Sequence, residues 1–330
     1  MKSFELYDAT SVDQAVQLLD RFGSTAKVVA GGSDLVTGMM KDWVQGPQMP
    51  LPDVLIDLAT VSEMTGITIA NGGATIGAMT TLTDIVESDE IKSSWPLLQE
   101  SALSVASPLI RNYGTLGGNI NQRPRCWYFR GENFPCYKNG GDFCFAVTGN
   151  NKPHAIIGGE LCYIVHPSDT ATALLALNAS ATIAGPSGRR EVAFDDYFIG
   201  PREDVLRENV LQPNELMVDV KVPSLAANTR TAWIKLKDRQ VYDFAVVSVA
   251  VVANIENGTW QEGRIVLGGV APVPWRATVV EEALAGKNVE AAIDNASALI
   301  RNEARPLSLN AYKVDLAIGL TKRAVLSTLA

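Results

Sequence analysis

The chain of 330 residues is long enough for about two domains, and 47% apolar with 19% charged residues is the composition of an ordinary globular protein. A net charge of −8 excludes a phosphate-tracking surface for nucleic acid. The longest apolar run, Phe244 to Ala253, is about half of what a bilayer span needs, so no membrane span is expected.

From the N-terminus, Phe4 to Tyr7 alternates like a short strand. Ser11 and Gln14 form a capping pattern, and Ala15, Val16, Leu18, Leu19 and Phe22 follow at helical spacing, which predicts a helix over 12–22 stopped by Gly23. Lys27, Val28, Val29 and Ala30 make a short buried strand that runs into Gly31-Gly32-Ser33-Asp34 and a helix start at Leu35. Glycine lets backbone N–H groups approach an anion and a helix N-terminus favours one, so this junction suits a phosphate. It is neither G-x-G-x-x-G nor Walker A, and an ordinary tight turn accounts for the same residues. A Pro-rich loop from Pro47 to Pro52 precedes a strand at 54–57, and a hairpin is expected around Asn71-Gly72-Gly73. Gly77 to Asp84 passes from strand to helix, with Thr80 at the junction, and Pro96 to Val105 is a helix. Pro108 to Asn121 is a second glycine-rich segment, in which Gly114, Gly117 and Gly118 stand among Asn112, Thr115 and Asn119.

Directly after it come all four cysteines of the chain, Cys126, Cys136, Cys144 and Cys162, within 37 positions. No C-x-x-C occurs, so neither a zinc knuckle nor a dithiol redox pair is signalled. Four thiolates from one segment suit a tetrahedral metal or a 4Fe-4S cluster. Trp127, Tyr128, Phe129, Phe134, Tyr137, Phe143 and Phe145 offer an apolar sheath for a cluster, and Arg123, Arg125, Arg130 and Lys138 offer positive charge. Two disulfides or inert buried thiols account for the spacing equally well. With only His154 and His166 in the chain, a His-rich metal site is excluded, and each is expected to be a surface or hydrogen-bonded histidine.

Beyond Cys162, Asp169 to Leu177 is a capped helix, 181–183 a strand entering a turn at Gly185 to Gly188, and 216–222 a further strand. Pro223 to Arg230 is the best linker. Strands are then expected at 231–237, 244–255 and 263–270, and helices at 276–285, 289–303 and 308–328.

Four stretches together carry a resemblance: Lys27 to Leu35, Ile76-Gly-Ala-Met-Thr80, Asn112 to Ile120, and His166-Pro-Ser-Asp169. In order and spacing they resemble the FAD-binding subunits of molybdenum hydroxylases, the xanthine dehydrogenase and aldehyde oxidoreductase family, and Ile234 to Ala245 resembles the start of that family's C-terminal domain. The resemblance implies an α+β fold. A two-part FAD-binding domain of the vanillyl-alcohol-oxidase (PCMH) type would cover 1–223, with a cysteine-rich insert at about 122–162, and an α+β domain of strands and helices would cover 228–330. It implies that residues 27–35, Thr80, Asn112, Gly114, Thr115, Gly118 and Asn119 hold FAD, the glycine loops cradling its pyrophosphate. Asp169 would lie near the ribityl and ring end, where a helix-capping role is the plainer alternative, and Lys235 near the isoalloxazine, where a solvated strand lysine is the rival.

The cysteine insert resembles that of bacterial periplasmic aldehyde oxidoreductase flavin subunits, which implies a 4Fe-4S cluster on Cys126, Cys136, Cys144 and Cys162. The implied partners are a molybdopterin-containing large subunit, a small subunit with 2Fe-2S clusters and an external electron acceptor. No molybdopterin signature, plant-type ferredoxin motif or nicotinamide contact is identifiable, so the chain is expected to be the electron outlet and not the site of substrate oxidation. A self-sufficient FAD oxidase or reductase using Tyr242 and Asp243, or a zinc-stapled assembly subunit, are the competing functions. With no export signal in view, the chain is expected in the cytoplasm, or in the periplasm if co-exported with a partner.

Overall fold

The computed structural model describes residues 2–40 and 50–329. Strands β1 (Glu5–Asp8), β2 (Ala26–Val29) and β3 (Val54–Asp57) form a parallel three-stranded sheet in the order β1-β3-β2. β3 is central because its Val-Leu-Ile run is buried on both faces, whereas the flanking strands are partly exposed. The helix Val12–Phe22 makes the crossover from β1 to β2 and buries Val12, Ala15, Val16 and Leu19. Ser11 caps it by accepting from the Gln14 N–H, and Gly23, at φ 55°, ends it.

A second, wholly antiparallel sheet is built from β4 (Ile67–Ala70), β5 (Gly73–Gly77), β6 (Ser180–Gly185), β7 (Gly188–Ala193) and β8 (Leu216–Val222), in the order β4-β5-β8-β6-β7. The third sheet is also antiparallel, with β9 (Thr229–Leu236), β10 (Val247–Glu256), β11 (Thr259–Gly268) and β12 (Trp275–Arg276) ordered β12-β11-β10-β9. Asn257 and Gly258, both at positive φ, turn β10 into β11.

Two hydrophobic cores result. The first draws on Ala9 to Val222, including Ile56, Ile76, Leu116, Leu174 and Val220, and takes Ala250 and Val266 from the third sheet; the second gathers the rest of β9 to β11 and the C-terminal helices. Ile156 and Ile157, from the cysteine-bearing segment, belong to the second core, and both N–H groups donate to the Val270 carbonyl. The cysteine segment is thereby clasped to the C-terminal sheet.

The expected elements differ in several places; β11 starts at Thr259, four residues before the expected 263. The helix foreseen at Leu35 is a single five-residue π turn, Leu35–Met39, held by Met39 N–H on the Asp34 carbonyl and Met40 N–H on that of Leu35. β10 begins at Val247, not at residue 244, because Phe244 lies under the Arg125 guanidinium, 5.2 Å from it, at the mouth of a cleft. The helix expected over 289–303 breaks at Leu299 into Val289–Ala298 and Ile300–Glu303. The last helix starts at Tyr312 instead of 308, since Asn310 is spent on its surroundings: its Oδ1 accepts from Leu307 N–H and its Nδ2 donates to the His154 and Ala155 carbonyls. Pro47, where the Pro-rich loop was expected to begin, lies outside the described residues. No helix among the described residues is long and apolar enough to cross a membrane.

Candidate functional site: a flavin cleft beside a four-cysteine pocket

The two glycine-rich segments meet. Gly31 follows β2, and the ideal Cβ of any larger residue there would stand 1.7 Å from the Tyr113 carbonyl oxygen, so the first loop touches the second backbone to backbone. Thr115 caps the short helix Leu116–Ile120 by accepting from Gly118 N–H at 3.1 Å, which presents this turn beside Gly31 and Gly32. Together they form one wall of a cleft of about 740 Å³. Met64, Ala78, Met79 and Leu82 add apolar lining, and Leu216 and Met217 lie at the far side.

Fourteen of the seventeen residues expected around FAD line this cleft: Lys27, Val28, Ala30, Gly31, Gly32, Ser33, Asp34, Leu35, Gly114, Thr115, Gly118, Asn119, Asp169 and Lys235. Three stand behind its wall. Val29 is spent on pairing with Asp57 in the parallel sheet. Thr80 is fully buried with its hydroxyl bonded to the Gly66 backbone, and Asn112 accepts from the Thr83 hydroxyl at 2.7 Å.

Helix capping at residue 169 falls to its neighbour. Ser168 accepts from the Ala171 N–H, and Asp169 instead turns its carboxylate to Lys235 at 2.6 Å, both side chains being over nine-tenths buried. Burial pushes the Asp169 carboxyl upward, and the Lys235 ammonium acts against that. Lys235 also donates to the Ser104 carbonyl at 2.9 Å, so it is no solvated strand lysine. Asn119 is locked by the Ser168 and Thr170 hydroxyls, which donate to its Oδ1 at 2.6 and 2.7 Å.

Asp34 has a task the sequence did not suggest. Its carboxylate accepts from the Arg123 N–H at 2.8 Å, from Arg125 at 2.5 Å and from Arg130 at 2.8 Å. The first glycine loop is thus tied to the residues on either side of Cys126. Arg123 pairs onward with Glu208 at 2.7 Å, and Glu208 accepts from the buried Lys138 at 2.5 Å. Arg123, Arg125 and Arg130, expected as charge around the cysteines, line the flavin cleft instead, whereas Lys138 lines the cysteine pocket.

All four cysteines line one small cavity, with no S–S bond between them. Tyr128, Phe129, Tyr137 and Phe145 form its apolar wall; Phe134 and Phe143 pack edge-on against Phe145 from outside, and Trp127 is half-exposed on the cleft side. The donor set is that of a thiolate site. Backbone N–H groups of Phe129 and Tyr128 favour the thiolate of Cys126, those of Asn139 and Lys138 that of Cys136, and that of Ile164 that of Cys162, each against the larger effect of burial. Burial pushes the Cys126 thiol up to about 11 and that of Cys162 up to about 12, so these two remain protonated unless a cation compensates. Among the described residues no three His, Cys, Asp or Glu side chains stand together in a way that would hold a single metal ion.

His154 corrects the sequence expectation of an unremarkable histidine. It is 3% exposed, its Nε2 lies 3.2 Å from the Cys126 sulfur, and its Nδ1 has no partner among the described residues. Burial pushes its pKa down to about 4, which keeps the ring neutral. Tyr163 and Ile164, also unforeseen, complete the pocket. His166 is buried as well, its ring edge-on to Phe198 at 4.9 Å. A sulfur-facing histidine 28 positions from Cys126 leaves no mark in local spacing.

Comparison with known proteins decides the family. A family profile described as the FAD binding domain in molybdopterin dehydrogenase matches residues 2–225, and one described as the CO dehydrogenase flavoprotein C-terminal domain matches 232–328. The chain belongs to the FAD-binding medium subunits of the molybdenum hydroxylases. This flavin subunit is 33% identical to the carbon monoxide dehydrogenase medium chain of Hydrogenophaga pseudoflava, over 98% of this chain and 96% of that one. It is also 33% identical to the aldehyde oxidoreductase FAD-binding subunit PaoB of Escherichia coli K12, over 100% of this chain and 98% of PaoB. Its fold superimposes on the solved carbon monoxide dehydrogenase of H. pseudoflava with a TM-score of 0.78 at 31% identity, covering 99% of this chain and 98% of that one. The mixed helix and strand architecture expected from the resemblance is therefore the family's. The flavin subunit binds FAD, and the cleft fits it: glycines whose Cβ atoms would clash, a capped turn and a long apolar trough are what a dinucleotide requires.

Proposed function

We propose that this flavin subunit is the electron outlet of a molybdenum hydroxylase whose partners are a molybdopterin-containing large subunit and a small subunit with 2Fe-2S clusters. Bound FAD supplies the two-electron chemistry that links one-electron carriers to an external acceptor. The chain's own residues hold it. Gly31, Gly32 and Ser33 with Gly114, Thr115, Gly118 and Asn119 offer donors to the diphosphate, and Lys27, Val28, Ala30 and Leu35 wall the trough. The buried Asp169–Lys235 pair sets the charge in the inner part of the cleft. Asp34 acts through its three donors by fixing the loop, and Val29, Thr80 and Asn112 support the wall from behind.

Cys126, Cys136, Cys144 and Cys162 are proposed as ligands of a 4Fe-4S cluster. The observation that supports this reading is that all four cysteines of the chain line one buried, aromatic-walled pocket. That arrangement favours a polynuclear centre, in which each thiolate holds its own iron, over a zinc staple. The Asp34 and Glu208 networks brace this pocket against the cleft, as a relay into FAD needs.

Neither Tyr242 nor Asp243 makes a convincing catalytic acid or base. Tyr242 is an exposed residue at φ 55°, and Asp243 is bound to Arg239 and to the Phe244 N–H. The test is a complex assembled with a FAD-free variant such as Gly31→Ala. Its iron–sulfur centres should still be reduced by the aldehyde or purine that reduces the wild type, while turnover with oxygen, NAD, quinone or ferredoxin stops. Undiminished turnover without FAD would remove the proposal.

A further inference from the structure

Resting on the reading of the four cysteines as cluster ligands, we infer that His154 is a tuning residue: its Nε2–H donates a hydrogen bond to the Cys126 thiolate and raises the cluster's reduction potential. The separation of 3.2 Å is within hydrogen-bonding range for sulfur. A metal-bound thiolate carries no proton, so the nitrogen has to be the donor. Among the described residues the ring's other nitrogen has no partner, and the sulfur is the imidazole's single polar partner.

The ring is also held in place from a distance. The His154 N–H donates to the Asn151 carbonyl at 2.9 Å, and its own carbonyl accepts from Asn310 at 3.1 Å and Lys313 at 3.0 Å. Lys313 is fully buried on the C-terminal helix Tyr312–Ser327, and it donates to the Pro153 and Gly269 carbonyls as well. Tyr128 lies against the imidazole with ring centroids 5.9 Å apart. A histidine anchored this heavily, with no substrate cleft in reach and one contact to a sulfur, is placed for that sulfur.

Hydrogen bonds to cluster sulfurs favour the reduced state, because reduction adds negative charge to the acceptor. Cys126 already receives the N–H groups of Tyr128 and Phe129, and it directly follows Arg125, which lines the flavin cleft. His154 therefore acts on the ligand nearest in sequence to the flavin. Its proton stays on nitrogen throughout, and a single electron enters and leaves the cluster.

The experiment is a redox titration of the intact complex, followed by the EPR signal that Cys126→Ser abolishes, in the wild type, His154→Leu and His154→Gln. His154→Leu should keep its iron, sulfide and FAD while its cluster becomes about tenfold harder to reduce, equivalent to about 59 mV for a one-electron couple. His154→Gln, which keeps an N–H donor, should recover part of that shift. A full cluster at unchanged potential in His154→Leu overturns the inference and leaves the cluster reading intact. Absence of such a signal and of its iron in the wild type overturns both. Should His154→Leu lose the cluster, pulsed EPR of the wild type labelled with 15N-histidine decides: a nitrogen coupling and an exchangeable proton are expected, and their absence refutes the hydrogen bond.

Discussion

Adding one methyl group at Gly31 should empty the flavin cleft. The Cβ of Gly31→Ala would lie 1.7 Å from the Tyr113 carbonyl oxygen and 2.6 Å from its carbon, and real Cβ atoms essentially never come within 3.0 Å of a neighbour. The two glycine loops therefore have to part by at least about 1.3 Å, and the obstacle is backbone, which cannot rotate out of the way. That displacement separates the donors on either side of the diphosphate and costs about 3 kcal/mol of stability, the upper end of overpacking penalties. Two companions calibrate the effect. Gly32→Ala meets nothing closer than 3.4 Å but sits at φ 66°, so strain of about 1–2 kcal/mol is expected, with FAD retained. Gly200→Ala meets nothing within 4 Å and has no positive φ, and should be neutral. Flavin absorbance per polypeptide and thermal unfolding, measured on all three, check the order Gly31, Gly32, Gly200. Full flavin occupancy with an unchanged unfolding temperature in Gly31→Ala would refute the backbone contact between the loops.

Asp34→Asn leaves Arg123, Arg125 and Arg130 without their shared carboxylate, so both FAD and iron content should fall together; loss of FAD alone in cofactor analysis would contradict the bracing role. Lys235→Met strands the Asp169 carboxylate, whose pair is buried, and should cost about 3–5 kcal/mol in chemical unfolding, with Asp169→Asn plus Lys235→Met recovering part of it. Lys313→Met orphans the carbonyls of Pro153 and Gly269 and takes one of two donors from that of His154, and a loss of about 3 kcal/mol, read as a lower denaturation midpoint, is expected at neutral pH. The same lysine gives a pH test. Burial pushes its pKa down to about 7 from 10.5 in the unfolded chain. The unfolded state then binds the extra proton between those values, so the wild type should gain stability on going from pH 7 to 9 relative to Lys313→Met. A parallel pH profile for the two would mean that the three carbonyls keep the ammonium charged.

The helix over 12–22, the hairpin at 67–76 and the strands around 54 and 216 were legible because each is fixed by local periodicity and by its own turn or cap. The cleft was legible for a different reason: its wall is made of short runs such as Gly31-Gly32-Ser33 and Gly114-Thr115, whose residue types already state a need for close backbone approach. What pairs those runs across the fold was not. Thr80 and Asn112 sit in the right runs, but Thr80 turns inward to Gly66 and Asn112 bonds Thr83 at the surface, which spacing alone does not distinguish from facing the cleft. Asp34 looked like part of a phosphate loop and is instead bound by three arginine-segment donors about ninety positions away. His154 was hidden for the same reason, since its orientation is set by Asn310 and Lys313 from the other end of the chain. The last helix starts late because Asn310 is bound to that segment.

The central claim is that one FAD and one cluster sit side by side on this chain. It is tested most directly by flavin, iron and acid-labile sulfide analysis of the anaerobically purified complex, compared with the same complex carrying Cys126→Ser, Cys136→Ser, Cys144→Ser and Cys162→Ser together. Partner clusters cancel in the difference. The account predicts equimolar FAD in the wild type and a loss of about four irons and about four sulfides per flavin subunit in the variant. Equal iron and sulfide in the two complexes, or zinc in place of the missing iron, would contradict it.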